Sequence, residues 1–557
     1  MDGGLKQISV AEYLIQRLSE LGITDLFGVP GDYSLLFLDY VEDSSKLRWV
    51  GNCNELNAGY ACDGYARLKG IGAMVTTFGV GELSAMNAVA GSYAEFVPVV
   101  KIVGMPTLAQ QTDGAIVHHT LADGNFQVFS DMYSHVTVAS ALLNKENPGT
   151  EIDRVLVNCY LTKKPVYIGL PIDVVAHKIS SPDKPLKIIM PPSNEMRLKE
   201  VVAHIAKIVR NASSPIVLVD ICATRHHIQK DLLYFLQKTG LPIAIMNMAK
   251  GIINESHPQY IGAYMGAFSQ PGVKEQIEKS DCVITIGTLM SDLNTGGFTV
   301  RLKDESTIEI HSTHTKINHQ LYENIYFKDI FSALINALKG YRYPKSISRQ
   351  LDNEQVKVNN NKTITQSYFW KKIESFIPQN AVVLADTGTS MFATFNMHLP
   401  DNCTYIAQSL WCSIGYTVGA LVGVCIAAPS RQAILFVGDG AFQLTAQEIS
   451  VLVRDKHNPI IFLLNNDGYT IERAVHGPTR KYNDIYMWNY IDFVRSFGGE
   501  TYTATVSTYH ELEKVLEELT VHSKKLRFVE VKMGRMDIPE YLRQVVEATT
   551  HVKNEKV

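Results

Sequence analysis

The chain has 557 residues, which is enough for about three or four domains of ordinary size. Hydrophobic residues make up 46% of the chain and charged residues 19%, which excludes a mainly disordered protein. The formal net charge of -4 offers no basic surface, so neither nucleic acid nor a membrane is expected as a partner.

The cysteines and the first residues indicate a cytoplasmic protein. The eight cysteines form no CxxC pair and sit mostly in apolar runs, as reduced core cysteines do. The run Met1-Asp2-Gly3-Gly4-Leu5-Lys6 lacks the charged and apolar regions of a secretory signal. The uncharged stretch from Trp411 to Pro429 approaches the length of a membrane span, but its glycines and polar residues favour a buried core helix.

Strands and helices alternate in the first part of the chain. Apolar residues recur at helical spacing from Val10 to Leu21, and Glu55 opens a second predicted helix. The Gly79-Val80-Gly81 turn lacks the third glycine of a dinucleotide site, so a tight strand-to-helix turn is the better interpretation. Alternation of this kind implies a parallel sheet with helices on both faces. Strands are predicted at 25–32, 49–52, 73–78, 98–104 and 165–171, the last being the final strand of the segment.

Two linkers divide the chain. The first, from His177 to Glu195, holds four prolines, and the second, from Tyr341 to Thr365, is polar and contains Asn359-Asn360-Asn361. The predicted domains therefore cover residues 1–180, 196–342 and 366–557, as three consecutive doubly wound parallel-sheet domains of the α/β class. Strands of the middle domain are predicted at 215–221, 242–246, 281–287 and 307–311.

The middle domain shows no obvious catalytic cluster. Cys222 and the pair His226-His227 could bind a metal, but further ligands at fixed spacing are missing. A surface loop is therefore the favoured interpretation of this stretch.

The third domain carries the most informative motif. Apolar strands from Ile434 and from Pro459 are followed by Asp439 and Asn466, and residues 443–454 between them are predicted to form one helix. In such a βαβ unit, both side chains fall at the carboxyl ends of neighbouring parallel strands. Their oxygens suit Mg²⁺, and a glycine-rich turn lets a phosphate approach backbone N–H groups. The motif predicts Mg²⁺ carrying a diphosphate.

Several stretches also resemble one family. The run Gly438-Asp439-Gly440 is followed, after twenty-four residues, by Asn465-Asn466, which resembles the thiamine diphosphate signature of the 2-oxo acid decarboxylases. Over nearly its whole length the chain is similar to the fungal pyruvate decarboxylase type of that family. The other supporting stretches are Gly28-Val29-Pro30-Gly31-Asp32, Asn54-Glu55-Leu56-Asn57-Ala58, His118-His119-Thr120-Leu121, Leu293-Asn294-Thr295-Gly296, Asp386-Thr387-Gly388-Thr389-Ser390, Leu410-Trp411-Cys412-Ser413-Ile414-Gly415 and Asn466-Asp467-Gly468-Tyr469-Thr470-Ile471-Glu472.

The resemblance implies a pyrimidine-binding domain first, a central domain, and a diphosphate-binding domain last. It also implies an active site between two chains, so self-association as a dimer of dimers, a homotetramer, is expected. The implied reaction is the non-oxidative decarboxylation of a 2-oxo acid, pyruvate to acetaldehyde and CO₂, through an ylide and an enamine of thiamine diphosphate. The implied cofactors are thiamine diphosphate and Mg²⁺.

The resemblance also assigns roles to residues. Glu55 would bind a ring nitrogen of the aminopyrimidine and promote its imino form, while Asp32, His118, His119 and Glu472 would form the acid–base set. Taken singly, each of these five residues is better explained by a structural role; it is their combination with the cofactor motif that favours catalysis. The implied metal ligands are the side chains of Asp439 and Asn466 and the backbone oxygen of Gly468. The implied cofactor-binding residues are Glu55, Thr387, Gly388, Cys412, Ser413, Ile414, Gly438, Asp439, Gly440, Ala441, Asn466, Gly468, Tyr469, Thr470 and Ile471.

Several positions depart from the family pattern, among them Cys412, Met391, Ser409, Val475 and Phe96, which stands where histidine is expected. Glycine is more common where this chain has Cys412, which puts the local backbone angle in doubt. Met391 stands where a smaller residue is common, which narrows a pocket that Phe298, Ile471 and Val475 would also line.

Alternatives to pyruvate decarboxylation remain open. They are decarboxylation of larger branched-chain or aromatic 2-oxo acids, a thiamine-sensing regulator, and a carboligating synthase of the acetolactate type, which usually also binds a flavin.

Overall fold

The computed structural model describes residues 6–344 and 362–554, so the first residues of the chain and the Asn359-Asn360-Asn361 run lie outside it. The chain forms two compact units. One contains the described part of Met1–Met190 together with Gly415–Ser430 and Leu444–His457; the other contains the described parts of Pro191–Ile414 and Asn458–Val557 together with Arg431–Gln443.

The first unit contains a six-stranded parallel sheet and a two-stranded antiparallel ribbon. Its strands are β1 (Gln7–Ser9), β2 (Asp25–Gly28), β3 (Arg48–Gly51), β4 (Gly72–Thr77), β5 (Val99–Met105), β6 (Ser140–Leu142), β7 (Val166–Pro171) and β8 (Lys178–Ser180). Its first helices are α1 (Val10–Glu20), α2 (Asp32–Glu42), α3 (Glu55–Lys69), α4 (Val80–Ala94), α5 (Leu108–Thr112), α6 (Val128–Ser134), α7 (Pro148–Thr162) and α8 (Ile172–Val175).

The order of this sheet is β3-β2-β4-β5-β7-β6, and β1 pairs with β8. The chain reverses direction across the sheet between β2 and β4, so the carboxyl ends of these strands form a crevice. The prediction that β7 is the last strand of the segment was wrong, because β8 follows within the proline-rich stretch and pairs with β1.

The central sheet has seven strands in the order β11-β10-β9-β12-β13-β14-β15. Its strands are β9 (Pro215–Val219), β10 (Ile243–Ile245), β11 (Tyr260–Ala263), β12 (Cys282–Ile286), β13 (Thr307–Ile310), β14 (His314–Ile317) and β15 (Gln320–Glu323). The helices around it are α9 (Glu195–Asn211), α10 (Ile221–Arg225), α11 (Gln229–Thr239), α12 (Val273–Glu278) and α13 (Phe327–Ala337), with 3₁₀ turns at Asn247–Ala249, Gly266–Phe268 and Asp304–Ser306.

The last sheet has six parallel strands in the order β17-β16-β18-β19-β21-β20. Its strands are β16 (Val382–Ala385), β17 (Thr404–Ile406), β18 (Ala433–Gly438), β19 (Ile460–Asn465), β20 (Thr501–Val506) and β21 (Leu526–Lys532). The helices are α14 (Gln366–Phe376), α15 (Thr389–Asn396), α16 (Tyr416–Ala427), α17 (Asp439–Thr445), α18 (Ile449–Arg454), α19 (Thr470–Val475), α20 (Tyr490–Arg495), α21 (Tyr509–Val521) and α22 (Glu540–Asn554), with 3₁₀ turns at Ala446–Glu448 and Lys481–Asn483.

The α/β class is confirmed, with three sheets that are wholly or mainly parallel. The central sheet departs from the prediction, because β14 and β15 run antiparallel at one edge after tight reversals of the chain. The predicted single helix at 443–454 was also wrong: α17 and α18 are separated by the 3₁₀ turn Ala446–Glu448. Thr445 accounts for part of this break, since its hydroxyl donates to the Gly415 carbonyl.

The uncharged stretch from Trp411 contains α16, which is buried except at its last residue, Ala427. Within the part of the chain that the structure describes, no helix is long and apolar enough to cross a bilayer. α16 packs on α3 at glycines: a Cβ on Gly423 would lie 1.8 Å from the Ala61 carbonyl oxygen, and one on Gly64 would lie 2.3 Å from the Ala420 carbonyl oxygen. Glycine is required at both positions because the two backbones touch.

Candidate functional site

Asp439 stands at the carboxyl end of β18, next to the point where the last sheet reverses between β16 and β18. Its side chain is buried, and its two oxygens accept hydrogen bonds from the backbone N–H groups of Gly440, at 2.8 Å, and Gly468, at 2.9 Å. Burial raises the pKa of Asp439 to about 6. A buried carboxylate that accepts hydrogen bonds from backbone N–H groups suits a bound metal ion.

The loop after β19 lies against Asp439. Asn466 is 3% exposed, and the next two residues adopt left-handed backbone angles, with φ of 63° at Asp467 and 113° at Gly468. The Gly468 N–H bonds to Asp439, so the structure brings all three predicted metal ligands to one place. A Cβ on Gly440 would lie 2.5 Å from the Tyr469 ring, which explains the glycine there.

The turn after β16 offers free donors at the same edge of the sheet. The hydroxyl oxygens of Thr387 and Ser390 are buried without a hydrogen-bond partner in the described structure. Between them, Gly388 has a φ of 130°, and the space where its Cβ would stand is open, as it is at Gly438. Buried hydroxyls without partners are costly unless a ligand satisfies them. The site therefore fits a diphosphate and its metal ion, with Ala441 packed at the start of α17.

Cys412 adopts a φ of 53°, so the chain keeps the left-handed angle that glycine would take more easily. Its thiol donates to the Gln408 carbonyl at 3.2 Å, and the Ser413 N–H donates to the Gln408 side chain at 3.0 Å. Ile414 is half-buried next to them. The doubt about the backbone angle is resolved: the angle is retained with a cysteine.

Replacing Cys412 by valine is expected to lower the free energy of unfolding by about 1–2 kcal/mol, because a β-branched side chain is strained at positive φ. Replacing it by glycine is expected to leave stability equal or slightly higher. Thermal unfolding of the two variants checks this, and equal losses in both would contradict the role of the backbone angle.

An apolar cluster lies beside the metal loop. Met391, which is fully buried, belongs to it, and Ile471 and Cys412 pack against it. Ser409 places its hydroxyl 3.9 Å from the Met391 sulfur. The remaining members of the cluster are Met265, Phe268, Phe392, Phe395, Ala407, Tyr541 and Leu542.

Three other predicted residues stand outside this cluster. Phe298 is 65% exposed and Val475 is 40% exposed, so neither packs in the core of the second unit. Glu472 is also exposed, on α19. The assignments of Phe298 and Val475 to the substrate pocket and of Glu472 to the acid–base set stay predictions.

The predicted acid–base residues of the first unit form one group. Asp32 begins α2, and His118 and His119 lie between α5 and α6. The His118 Nε2 atom makes a short hydrogen bond to the Asp32 carboxylate, and the His119 Nε2 atom lies 3.7 Å from its other oxygen. The Tyr33 ring stacks on His118 with centroids 4.7 Å apart. Among the described residues this is the only group of three metal-ligand side chains gathered this closely, and it can equally well move protons.

Glu55 is the first residue of α3, where the helix dipole favours a carboxylate. One of its oxygens lies 3.2 Å from the position that a Cβ on Gly81 would occupy. Gly81, on α4, therefore makes room for this carboxylate, which explains the second glycine of Gly79-Val80-Gly81.

The structure thus gathers Asp32, His118 and His119 in the first unit and the three proposed metal ligands in the second. Three contributors were not predicted: Ser390, Tyr33 and Arg473, which is buried on α19 and donates to the Asn466 and Asp467 carbonyls. Ser390 could have been found, because it lies at the N-terminal end of a helix that follows a strand and a glycine. Tyr33 and Arg473 could not, because an aromatic and a charged residue on an amphipathic helix are typical of ordinary core and surface positions.

The carboxyl end of the central sheet is filled by its own side chains. Asp220, fully buried after β9, accepts from the Leu289 N–H at 2.8 Å and from the Asn294 amide at 2.7 Å. Cys222 is buried on α10, with its sulfur 3.5 Å from the His311 Nε2 atom. The surface-loop interpretation of Cys222 was therefore wrong, since the turn from β9 leads the chain inwards.

Replacing Asp220 by asparagine is expected to change how stability depends on pH. Burial raises the pKa of Asp220 from 3.8 to about 7, so the folded protein holds a proton that the unfolded chain releases. Its contribution is fully present below 3.8 and is lost as pH rises through about 7, a loss of up to about 4 kcal/mol. Urea unfolding of both proteins between these pH values checks this, and parallel curves would contradict it.

Comparison with known proteins identifies three matching regions. The N-terminal thiamine pyrophosphate-binding domain of thiamine pyrophosphate enzymes matches residues 8–128, their central domain matches residues 202–330, and their C-terminal thiamine pyrophosphate-binding domain matches residues 386–531. The last match contains β18 and β19 and therefore the whole metal loop.

Relatives also match along nearly the full chain. A pyruvate decarboxylase of Aspergillus fumigatus is 43% identical over 98% of this chain and 97% of its own length. Pyruvate decarboxylase isozyme 1 of Saccharomyces cerevisiae is 38% identical over 98% of this chain and 99% of its own length. A pyruvate decarboxylase of Kluyveromyces lactis is 38% identical over 99% of this chain and 100% of its own length.

Proposed function

Because the chain belongs to the thiamine pyrophosphate enzymes and, among them, to the fungal-type pyruvate decarboxylases, we propose that it converts pyruvate to acetaldehyde and CO₂ as a carboxy-lyase. The observation that carries this proposal is the buried Asp439, hydrogen-bonded to the Gly468 N–H at the edge where β18 and β19 end. The cofactor is thiamine diphosphate with Mg²⁺.

The diphosphate and the metal would be held by the second unit. Asp439 and Asn466 would bind Mg²⁺ through side-chain oxygens and Gly468 through its carbonyl, and phosphate oxygens and water would complete six oxygen ligands. The Thr387 and Ser390 hydroxyls would gain the partners they lack. Residues of the loops after β16, β18 and β19 would complete the diphosphate site: Gly388, Gly438, Gly440, Ala441, Tyr469 and Thr470.

The thiazolium ring and the substrate need an apolar lining that excludes water. When bound, thiamine diphosphate supplies the nucleophilic carbon and the cationic ring that accepts the electron pair left by CO₂. Met391 and Ile471 would exclude water there, which favours loss of charge on decarboxylation. Ile414 would hold the two rings of the cofactor in a bent conformation, and the Cys412 carbonyl would accept a hydrogen bond from the aminopyrimidine.

Protons would be handled by carboxylates and imidazoles. Release of acetaldehyde requires a proton delivered to carbon and another removed from a hydroxyl. In the Asp32–His118–His119 group, His118 is hydrogen-bonded to Asp32 and the His119 Nε2 atom lies 3.7 Å from the same carboxylate. These side chains could therefore pass protons, and Glu472 would meet the substrate carboxylate. Glu55 would keep a proton at a ring nitrogen of the aminopyrimidine.

The complete site would form between two chains. The acid–base group and Glu55 belong to the first compact unit, and the metal loop belongs to the second. In this family, each site would combine the first unit of one chain with the second unit of its partner. A dimer would then be the smallest active form, and a dimer of dimers the assembly. The domain boundaries 1–180, 196–342 and 366–557 and a cytoplasmic location belong to the same proposal.

The alternatives meet specific observations. The four residues of the acid–base set and Glu55, the proposed pyrimidine contact, are all present. A regulator that only senses thiamine diphosphate would not need them. In the central sheet, a Cβ on Gly287 would lie 2.7 Å from the Cys222 Cβ, and Asp220 bonds across the point where the strand order reverses. These side chains fill the crevice at the carboxyl end of the central sheet, where a ligand of this fold would bind. An acetolactate-type synthase would need room for a flavin in this domain, so the decarboxylase is favoured.

The proposal is tested with purified protein, thiamine diphosphate and Mg²⁺, by comparing pyruvate with 2-oxoisocaproate, phenylpyruvate and indolepyruvate. We expect equal amounts of CO₂ and aldehyde, and the highest kcat/KM with pyruvate, because Met391 narrows the pocket. A higher kcat/KM with an aromatic 2-oxo acid than with pyruvate would show that the larger acids are the substrates and that pyruvate is not the preferred one.

A further inference from the structure

Arg473 is a buried cation next to the proposed metal site. It follows Glu472 on α19 and is 1% exposed, although arginine is almost never buried without partners. Ionised groups enter a protein interior only when hydrogen bonds and an opposite charge compensate for the lost water. Its partners therefore show what its burial achieves.

One guanidinium connects two loops. On one side, Arg473 donates to the Asn466 carbonyl at 3.5 Å and to the Asp467 carbonyl at 2.5 Å. On the other side, it donates to the Asn483 carbonyl at 3.0 Å and forms an ion pair with Asp484 at 2.8 Å. The planar fork of arginine can bind several acceptors in fixed directions, which a lysine cannot do.

The loop it grips has an unfavourable backbone. Asp467 adopts a φ of 63°, which few residues other than glycine take readily, and Gly468 adopts 113°. A Cβ on Gly468 would lie 2.7 Å from an Arg473 nitrogen. Arg473 holds the carbonyls of Asn466 and Asp467, which immediately precede Gly468. These bonds therefore fix the backbone that would direct the Gly468 carbonyl oxygen towards the metal.

Two carboxylates balance the charge near the loop. Asp484 pairs with Arg473 and also with Arg535. Arg535 in turn lies 3.6 Å from the Asp467 carboxylate. An uncompensated guanidinium this close to the metal ligands would repel a divalent cation. Asp484 and Asp467 together therefore allow the arginines and a metal ion to occupy neighbouring positions.

We propose that Arg473, neutralised by Asp484, is a positioning residue that holds the loop of Asn466 and Gly468 in the conformation that binds Mg²⁺. This inference rests on the proposed function, because it concerns the metal that the decarboxylase would use. Arg473 itself contacts neither the metal nor the substrate.

The test is a titration of metal-free protein with Mg²⁺ at a fixed, saturating concentration of thiamine diphosphate, followed calorimetrically. Arg473→Met is expected to raise the apparent Kd for Mg²⁺ by about 10–100-fold and Asp484→Asn by about 10-fold, which are effects typical of residues that orient metal ligands. Arg473→Lys should be intermediate. Because the residue only positions the loop, kcat at saturating Mg²⁺ should return to within about threefold of the parent value.

Two controls separate the possible failures. Arg495→Lys, at the exposed last residue of α20, should leave the Kd unchanged, and Asp439→Asn should raise it most. If Asp439→Asn binds Mg²⁺ normally, the proposed metal site is wrong. If only Arg473→Lys, Arg473→Met and Asp484→Asn bind normally, the positioning role alone is overturned. Should Arg473→Met fail to fold, Arg473→Lys and Asp484→Asn decide the matter.

Discussion

Replacing Glu55 by glutamine is expected to reduce kcat by about 10³-fold, because the amide can no longer hold a proton at the aminopyrimidine. Glutamine keeps the shape of the side chain, and Gly81 leaves the same room for it. The fold and the binding of Mg²⁺ should therefore survive. Steady-state rates with pyruvate at saturating cofactor measure the effect, and Glu146→Gln, at an exposed position, is the matched control.

Near-normal turnover of Glu55→Gln would refute the catalytic assignment. A mixing experiment then tests the site between chains. Inactive Glu55→Gln and inactive Asp439→Asn chains, unfolded together and refolded at equal amounts, should recover about a quarter of the parent activity, because half of the dimers are mixed and each has one intact site. No recovery would mean that each site is built within one chain.

Replacing Asp439 by asparagine is expected to weaken Mg²⁺ binding by about 100-fold and to abolish activity at ordinary Mg²⁺ concentrations, because the only charged ligand of the proposed set is lost. The NH₂ group of asparagine cannot accept from the Gly440 N–H, which bonds to the other carboxylate oxygen, but its carbonyl oxygen can still accept from the Gly468 N–H, which Asp439 binds at 2.9 Å. The loop should therefore keep its conformation. Calorimetric titration with Mg²⁺ in the presence of thiamine diphosphate measures the change.

The stability of the metal-free protein separates a lost ligand from a damaged fold. Burial disfavours the ionised form of Asp439, so the asparagine variant should unfold in urea at the same or a higher concentration than its parent. Asp492→Asn, at an exposed position of α20, should change neither quantity. Mg²⁺ binding that equals the parent's would contradict the metal site.

Much of the architecture could be predicted because it follows from short-range patterns. Apolar runs of strand length alternate with helical periodicity, and they placed five strands of the first unit, four of the central sheet and two of the last sheet within a few residues of their observed bounds. The strands β1, β6, β8, β11, β16, β17, β20 and β21 were not predicted. The edge strands β14 and β15 were missed because strand pairing depends on partners distant in the chain and not on local propensity. The division of residues 443–454 into α17 and α18 has a similar cause, since Thr445 bonds to Gly415.

The candidate site divides in the same way. Asp439 and Asn466 were predicted from the pattern of strands and polar residues, since polar residues after neighbouring parallel strands must meet at one edge of a sheet; Gly468 and the thiamine cofactor were implied by the resemblance to a family. The sequence by itself also determined the α/β class and indicated a diphosphate held by Mg²⁺, because both are properties of residue type and short-range order. Only the tertiary structure decided that Arg473 turns inwards to hold the metal loop, that Cys412 keeps a left-handed angle, and that Asp220 fills the central crevice. Each of these features depends on contacts between segments that are distant in the chain. Such contacts determine burial and backbone strain, and local sequence patterns do not predict them.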